Sequence, residues 1–380
     1  MIVATLKLVF NICLSTLSFL IPKSNKYIIV GGWEGKRYSD NSRAIFEYLT
    51  EHQETLGLKR VFWYTNSLEI YQSLSSKGYH VLMGLNLKSA FWHLRSKVHF
   101  IDQNPRDILG YLSVRAHRIN LWHGVPLKKI GIDIVENYKP QPRWWKKWTS
   151  AGFWVDQYLV ATSPLAAELL THAMDLPAEK ALLASYPRNA VLLKEKGKQL
   201  GQNRRVYYLP TFRNDGQRNP ILNEDLSSLN ELLTENRIEL SIKPHFASLA
   251  DWKLADDLSN IHVLEAKEDV YEGLQTTDIL ITDYSSVFFD FLLTGRPILF
   301  FPYDYENYKN DERGFTMPYN ENTPGKKVYT YQDLLKSLLE ISQDPDSYRT
   351  SYQSQYEEVC KKVHQFVEEP NYDSILKFIK

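Results

Sequence analysis

Two polar breaks carry most of the chemistry in this chain. The first interrupts ILITDYSSVFFDFLLTGRPILFF, Ile279–Phe301, where Thr282, Asp283, Ser285 and Ser286 separate two apolar runs. The order is strand, polar loop, short helix, strand, and Gly295 with Pro297 supplies the helix stop. Hydroxyls at a strand exit, beside free N–H groups at a helix start, suit a phosphate. The same residues also fit a plain structural role, with Ser286 as a helix cap and Asp283 tightening a turn. The second break is LWHGVPLKKIG, Leu121–Gly131. His123 and Gly124 follow a strand directly, and Lys128 and Lys129 come one turn later. An imidazole beside positive charge can act as a general base near an anion, although a lone histidine serves structure more often than catalysis.

Three further sites lie at strand exits or on later loops. Arg213 ends PTFR, Lys243 and His245 lie in KPHF, and Arg313 follows a loop with Asp304 and Glu306. Exits of one parallel sheet share an edge, so Arg213, Lys243, His245, Asp283, Ser285 and Ser286 are expected to converge there. Hydroxyls and cations together are what a pyrophosphate requires. His123 comes from the matching edge of an earlier sheet, with Gly124, Lys128 and Lys129 as acceptor or phosphate candidates. Two sheets facing across a cleft would hold a nucleotide-linked donor and its acceptor.

Several alternatives lack their signatures. There is no Walker A pattern, and Gly31, Gly32 and Gly35 have the wrong spacing for a dinucleotide fingerprint. The one DxD, Asp344–Asp346 around Pro345, reads as a turn, so a metal-dependent nucleotide-sugar transferase of that type is not supported. With only Cys13 and Cys360, the chain offers neither a disulfide framework nor a zinc site. No metal and no cofactor are called for.

These residues need a scaffold of alternating strands and helices. Apolar runs predict strands at Tyr27–Val30, Val61–Tyr64, His80–Leu82, Val98–Ile101, Ile119–Leu121 and Tyr158–Ala161. Further runs predict them at Val206–Leu209, Ile238–Ile242, Ile261–Leu264, Ile279–Thr282 and Ile298–Phe301. Helical stretches such as Arg43–Glu51 and Ser163–Ala173 lie between them, which indicates doubly wound α/β domains. At 380 residues, two domains are expected. The expected division is an apolar helix over 1–22, one Rossmann-like acceptor domain over 23–190 and a second, donor-binding domain over 203–380. The lysine-rich stretch from Pro187 to Gln202 would link them.

Charge balances at 45 basic against 45 acidic residues, so no polyelectrolyte role is implied. The N-terminal 21 residues are strongly apolar but lack a basic start and a cleavage site. On a helix, Lys7, Asn11, Ser15 and Ser18 form a narrow polar stripe, which fits an interfacial helix or one packed on the first domain. RWWKKW, Arg143–Trp148, combines tryptophan with cations, as an anionic membrane surface would favour. No basic stripe supports nucleic-acid binding.

Taken together, GGWEGKRYSDNS, LWHGVPLKKIG, YLPTFRND, IKPHF, DILITDYSSVFFDFLLTGRPILFF, YDYENY and RGF resemble the CDP-glycerol:poly(glycerophosphate) glycerophosphotransferase family of teichoic acid and capsule synthesis. The resemblance runs from about Gly31 to Arg313, with Val125 and Phe246 departing from the family pattern beside the two histidines. It implies a GT-B-like pair of Rossmann domains. It also implies transfer of glycerol phosphate or ribitol phosphate from CDP-glycerol or CDP-ribitol to a hydroxyl of a lipid-linked or polymer acceptor, with release of CMP. His123 and His245 fall in motifs implicated in activity, Ser285 and Ser286 in the donor-phosphate loop, and Arg313 in the RGF motif. On this reading His123 is the general base, and His245, Arg213, Ser285, Ser286 and Arg313 stabilise charge on the pyrophosphate and departing CMP. The two histidines could exchange roles. A peripheral enzyme on the cytoplasmic face of the membrane is expected. The rivals are a GT-B glycosyltransferase using a nucleotide sugar and a non-catalytic membrane scaffold.

Overall fold

The computed structural model describes residues 2–135, 155–213, 219–244, 252, 258–265, 268–309 and 314–380. His245, Phe246, Arg313 and the cluster Arg143–Trp148 lie outside these residues. The chain forms two compact units. Unit 1 is Met1–His123, Val135–Arg188 and Pro370–Lys380; unit 2 is Gly124–Ile134 and Asn189–Glu369.

Unit 1 is built on seven parallel strands: β1 Ser24–Val30, β2 Arg60–Thr65, β3 His80–Met83, β4 Ser96–Ile101, β5 His117–Asn120, β6 Asp156–Ala161 and β7 Ala181–Leu183. Their order is β3-β2-β1-β4-β5-β6-β7. Runs such as Ile28–Val30 and Val61–Tyr64 are buried throughout, as strands covered on both faces must be. Only β7 was missed, because three residues are too few to show a period. The helix expected from Arg43 starts earlier, at Asp40, and buries Ile45, Phe46 and Leu49. The chain end also departs from expectation. Ile375, Leu376 and Ile379 are buried in the unit 1 core with Ile28 and Val98, so Pro370–Lys380 does not belong with the second domain.

An N-terminal helix spans Ile2–Ser18. Leu14 packs on the cluster of Ile29 and Phe62, while Leu6, Val9, Phe10 and Ile12 are exposed. Among the described residues no helix is long and apolar enough to cross a membrane.

Unit 2 has five parallel strands: β8 Arg204–Leu209, β9 Ile238–Ile242, β10 Ile261–Val263, β11 Ile279–Thr282 and β12 Ile298–Phe300, in the order β10-β9-β8-β11-β12. After β11 a helix runs Val287–Phe291 and a 3-10 turn Leu292–Thr294, ended by Gly295 at φ 68°. A residue with a Cβ is disfavoured in that left-handed conformation, which is why glycine stops the helix. Phe288, Phe289 and Phe291 are fully buried and anchor the loop that precedes them. The stretch expected as a linker contains a helical turn, Ala190–Leu193, with Leu192 buried.

Each sheet grows outward from its first strand in one direction and then resumes on the other side. The reversal falls between β1 and β4 in unit 1 and between β8 and β11 in unit 2. Loops leaving the carboxyl ends of such strand pairs splay apart and open a crevice.

Candidate active site

The unit 1 crevice is lined by the loops after β1, β4 and β5. Gly31 and Gly32 follow β1 because nothing larger fits. A Cβ at Gly32 would lie 2.3 Å from Asp102 Oδ2 and 2.4 Å from Ser42 Oγ. Asp102 follows β4 and is fully buried. It accepts hydrogen bonds from Ser42 N at 2.8 Å and Ser42 Oγ at 2.5 Å. Burial, reinforced by Asp40 and Asp107, pushes its carboxyl well above the usual range. Asp107 Oδ2 accepts from the N–H groups of Asp102, Gln103 and Asn104, and Oδ1 from Glu34. The glycines therefore serve a polar scaffold, as part of which the backbone is locked.

His123 stands on the loop after β5, and its main chain is clamped. Arg188 donates to His123 O at 3.0 Å and to Asp40 Oδ1 at 2.5 Å. Asn41 donates to Trp122 O at 2.8 Å, while Asn120 Oδ1 accepts from Trp122 N at 2.9 Å. Trp33, Glu34, Asp40 and Trp122 all have positive φ, four of the seven such non-glycine residues described. Strain of this kind costs roughly 1–3 kcal/mol per residue and persists only where the surroundings over-determine it, commonly at functional sites. The His123 ring lies 4.2 Å from Trp122 and 6.1 Å from Trp33, centroid to centroid. Burial lowers its pKa to about 4, opposed by Asp40 and the Asp102 main chain and reinforced by Arg188. The ring is therefore neutral at pH 7, the state in which it can take a proton. Its Nδ1 is buried with no hydrogen-bond partner among the described residues.

In unit 2 the loops after β8 and β11 meet at Arg213. This side chain is buried and donates to Asp304 Oδ2 at 2.5 Å, Asp304 Oδ1 at 3.0 Å, Asp283 Oδ2 at 2.9 Å and Thr211 O at 2.6 Å. Its guanidinium also lies about equally far, 4.9, 5.0 and 5.1 Å, from the rings of Tyr284, Tyr303 and Tyr308. Arg213 was expected at the donor phosphates; its donors are instead committed to the scaffold, because two carboxylates neutralise it inside an aromatic cage. Asp283 and Thr282 are likewise fully buried. Asp283 accepts from Thr211 N and Tyr284 N, and Thr282 Oγ1 donates to Leu209 O. Neither group is presented to a ligand.

Ser285 and Ser286 are half-buried. Ser286 precedes the helix but makes no capping bond, so the structural reading of that residue does not hold. Among the described residues neither hydroxyl is hydrogen-bonded. Lys243 leaves β9 with Nζ 2.5 Å from Glu265 O.

The two lysines after His123 sit differently from expectation. Gly124, at φ 144°, begins a segment that belongs to unit 2, not to the acceptor domain. Lys128 bridges to Phe315, Thr316 N donates to Leu127 O at 2.9 Å, and Lys129 N donates to Gly314 O at 3.4 Å. Lys128 Nζ lies 5.9 Å from the Tyr308 ring, beside the Arg213 cage. Lys128 and Lys129 thus travel with the Gly314–Phe315 loop. Sequence reasoning missed Asp40, Asn41, Asp102, Arg188 and Trp33 as groups around His123. Asp102 had a visible signal, an acid directly after an apolar strand; Arg188, 65 residues from His123, had none.

Comparison with known proteins places this architecture. The profile of the CDP-Glycerol:Poly(glycerophosphate) glycerophosphotransferase family matches residues 13–370. A teichoic acid glycerol-phosphate transferase of Staphylococcus aureus is 29% identical, over 93% of this chain and 94% of that protein. A teichoic acid poly(glycerol phosphate) polymerase of Bacillus subtilis is also 29% identical, over 90% of this chain but 47% of the relative. The solved wall teichoic acid polymerase TagF shares the fold at a TM-score of 0.73 and 22% identity, covering 99% of this chain and 96% of the other. A histidine variant of TagF has been solved after soaking with CDPG (TM-score 0.71, 23% identity, 99% and 96% covered). With the match spanning nearly its whole length, the chain belongs to the CDP-glycerol:poly(glycerophosphate) glycerophosphotransferase family and is an enzyme of that kind.

Proposed function

We propose that this enzyme moves a polyol phosphate, glycerol phosphate or ribitol phosphate, from its CDP conjugate to a hydroxyl of a lipid-linked or polymer acceptor. The observation that carries the reading is His123, its main chain clamped at a crevice of unit 1 and its Nδ1 without a hydrogen-bond partner among the described residues. The acceptor hydroxyl oxygen attacks the phosphorus that bears the polyol, and its proton passes to His123. A new P–O bond forms as the pyrophosphate bridge to the cytidine phosphate breaks, and CMP leaves with the bridging oxygen. Ser285 and Ser286 donate to the donor phosphates, with Lys128 and Lys129 adding positive charge from the same unit. Unit 1 receives the acceptor and unit 2 the donor. His245 and Arg313 belong to the charge-stabilising set through their family motifs.

The apolar residues exposed on the N-terminal helix support docking on an anionic membrane surface, at the cytoplasmic face where a lipid-linked acceptor would be presented. Co-sedimentation with anionic vesicles, before and after removal of residues 1–21, tests that contact; equal binding would dismiss it.

The test of the reaction supplies purified enzyme with CDP-glycerol, CDP-ribitol or UDP- and GDP-sugars and measures nucleotide release and the mass added to an acceptor. CMP release with a CDP-polyol is expected, falling roughly a hundredfold or more in His123→Asn with the fold intact. Release of UDP or GDP instead, or a fully active His123→Asn, would overturn the reading.

A further inference from the structure

We infer that Arg37, set over the Trp33 ring, forms a subsite for a phosphodiester already present in the acceptor. This deepens the reading of His123 as the acceptor-side base and rests on it. The Arg37 guanidinium lies 5.0 Å from the centre of the Trp33 ring. Arg37 is exposed and has no ion-pair partner among the described residues. The neighbouring cations differ: Lys36 and Arg106 both contact the Glu34 carboxylate, at 3.0 and 3.6 Å. An exposed arginine held over an indole face by a cation–π contact keeps N–H donors for bidentate recognition of a phosphate.

The platform is rigid. Trp33 and Glu34 hold positive φ, Glu34 N donates to Asp107 Oδ1 at 2.8 Å, and Asn66 Nδ2 donates to Glu34 O at 3.0 Å. Trp33 Nε1 is buried with no hydrogen-bond partner among the described residues.

Spacing argues for the ligand class. The Trp33 ring is 6.1 Å from the His123 ring, so imidazole and guanidinium lie within about 11 Å of one another. Hydrogen bonds of about 3 Å at either end leave at most about 5 Å between the reacting hydroxyl and the anion. That is the reach of one short polyol. A polymer end, polyol hydroxyl followed by phosphodiester, fits; a sugar hydroxyl with no nearby phosphate leaves Arg37 without a counter-charge.

The experiment uses two acceptors that differ only in the anion: octyl glyceryl ether and the octyl diester of glycerol phosphate. Wild-type enzyme with CDP-glycerol should favour the diester, and high salt should reduce that preference. Arg37→Gln should lower the selectivity about tenfold through acceptor KM, with kcat and donor KM moving less than twofold. Arg37→Lys should restore part of it, since charge returns without the planar, bidentate guanidinium. Equal loss on both acceptors, an altered donor KM, or no change would each overturn the assignment. So would weaker binding of Arg37→Gln to phosphatidylglycerol vesicles, which would make the anion a lipid headgroup. A fully active His123→Asn would sink the base assignment on which this one rests, whereas a failure confined to the Arg37 variants would sink this one alone.

Discussion

In unit 1 the Arg188 guanidinium closes on the Asp40 carboxylate at 2.5 Å, and in unit 2 Arg213 is shared between Asp283 and Asp304. Both arginines sit at the carboxyl edge of a parallel sheet, where ligands bind in this architecture. Both are buried and committed to fixing loops. What remains for chemistry differs. Beside the first pair stands an imidazole, which titrates; beside the second stand two serine hydroxyls, which do not. At each edge a buried ion pair fixes the loops, and an uncharged group stands beside it. The physical reason is that a buried charge must be paired or its desolvation is not offset, whereas a hydroxyl or neutral imidazole can wait unpaired at modest cost.

The largest test of that comparison is Arg213→Met. It leaves Asp283 and Asp304 buried without their cation and should destabilise unit 2 by about 3–5 kcal/mol in chemical denaturation. An unchanged midpoint combined with loss of donor affinity would break the comparison, because Arg213 would then be a phosphate ligand.

The contrast also predicts unequal acid sensitivity. Unit 1 holds His93 and His123 at about 4, and His99 well below its ordinary value, through burial. Their folded pKa values lie below the unfolded one, so the unfolded chain takes up protons first as pH falls. The stability these histidines contribute is complete above pH 6.5 and is lost as pH drops from 6.5 toward 4, by about 3 kcal/mol for fully buried His93 alone, with the raised Asp102 carboxyl acting in the opposite direction. Proteolysis in graded urea at pH 7 and pH 4.5, with fragments assigned by mass, should show unit 1 weakening more. A drop confined to unit 2 would contradict this.

The smallest effect sharpens the picture of the second edge. Ser285→Ala with Ser286→Ala should weaken binding of CDP-glycerol about tenfold by calorimetry, with kcat less affected. Thermal stability should hold within about 0.5 kcal/mol, because Ser286 makes no capping bond to lose. Unchanged donor affinity would reassign the loop to structure.

Much of this protein could be read without coordinates. Ile279–Thr282 and Ile238–Ile242 fall at the strands expected, since residues buried on both faces of a parallel sheet leave unbroken apolar runs. The turn at Gly295 was legible because a left-handed helix stop favours glycine. Family membership followed from whole motifs. The grouping of residues was less legible. LWHGVPLKKIG reads as one site, yet the chain passes from unit 1 to unit 2 between His123 and Gly124, and the lysines go with the second.

Amino-acid order alone determined the fold class and the two polar loops, because backbone periodicity and turn chemistry are local properties. Only tertiary structure decided which polar side chains stay available to a substrate. Arg213 meets Asp304 across 91 residues and Arg188 meets Asp40 across 148. Nothing local announces such a partner, and pairing is what turns a candidate ligand into scaffold.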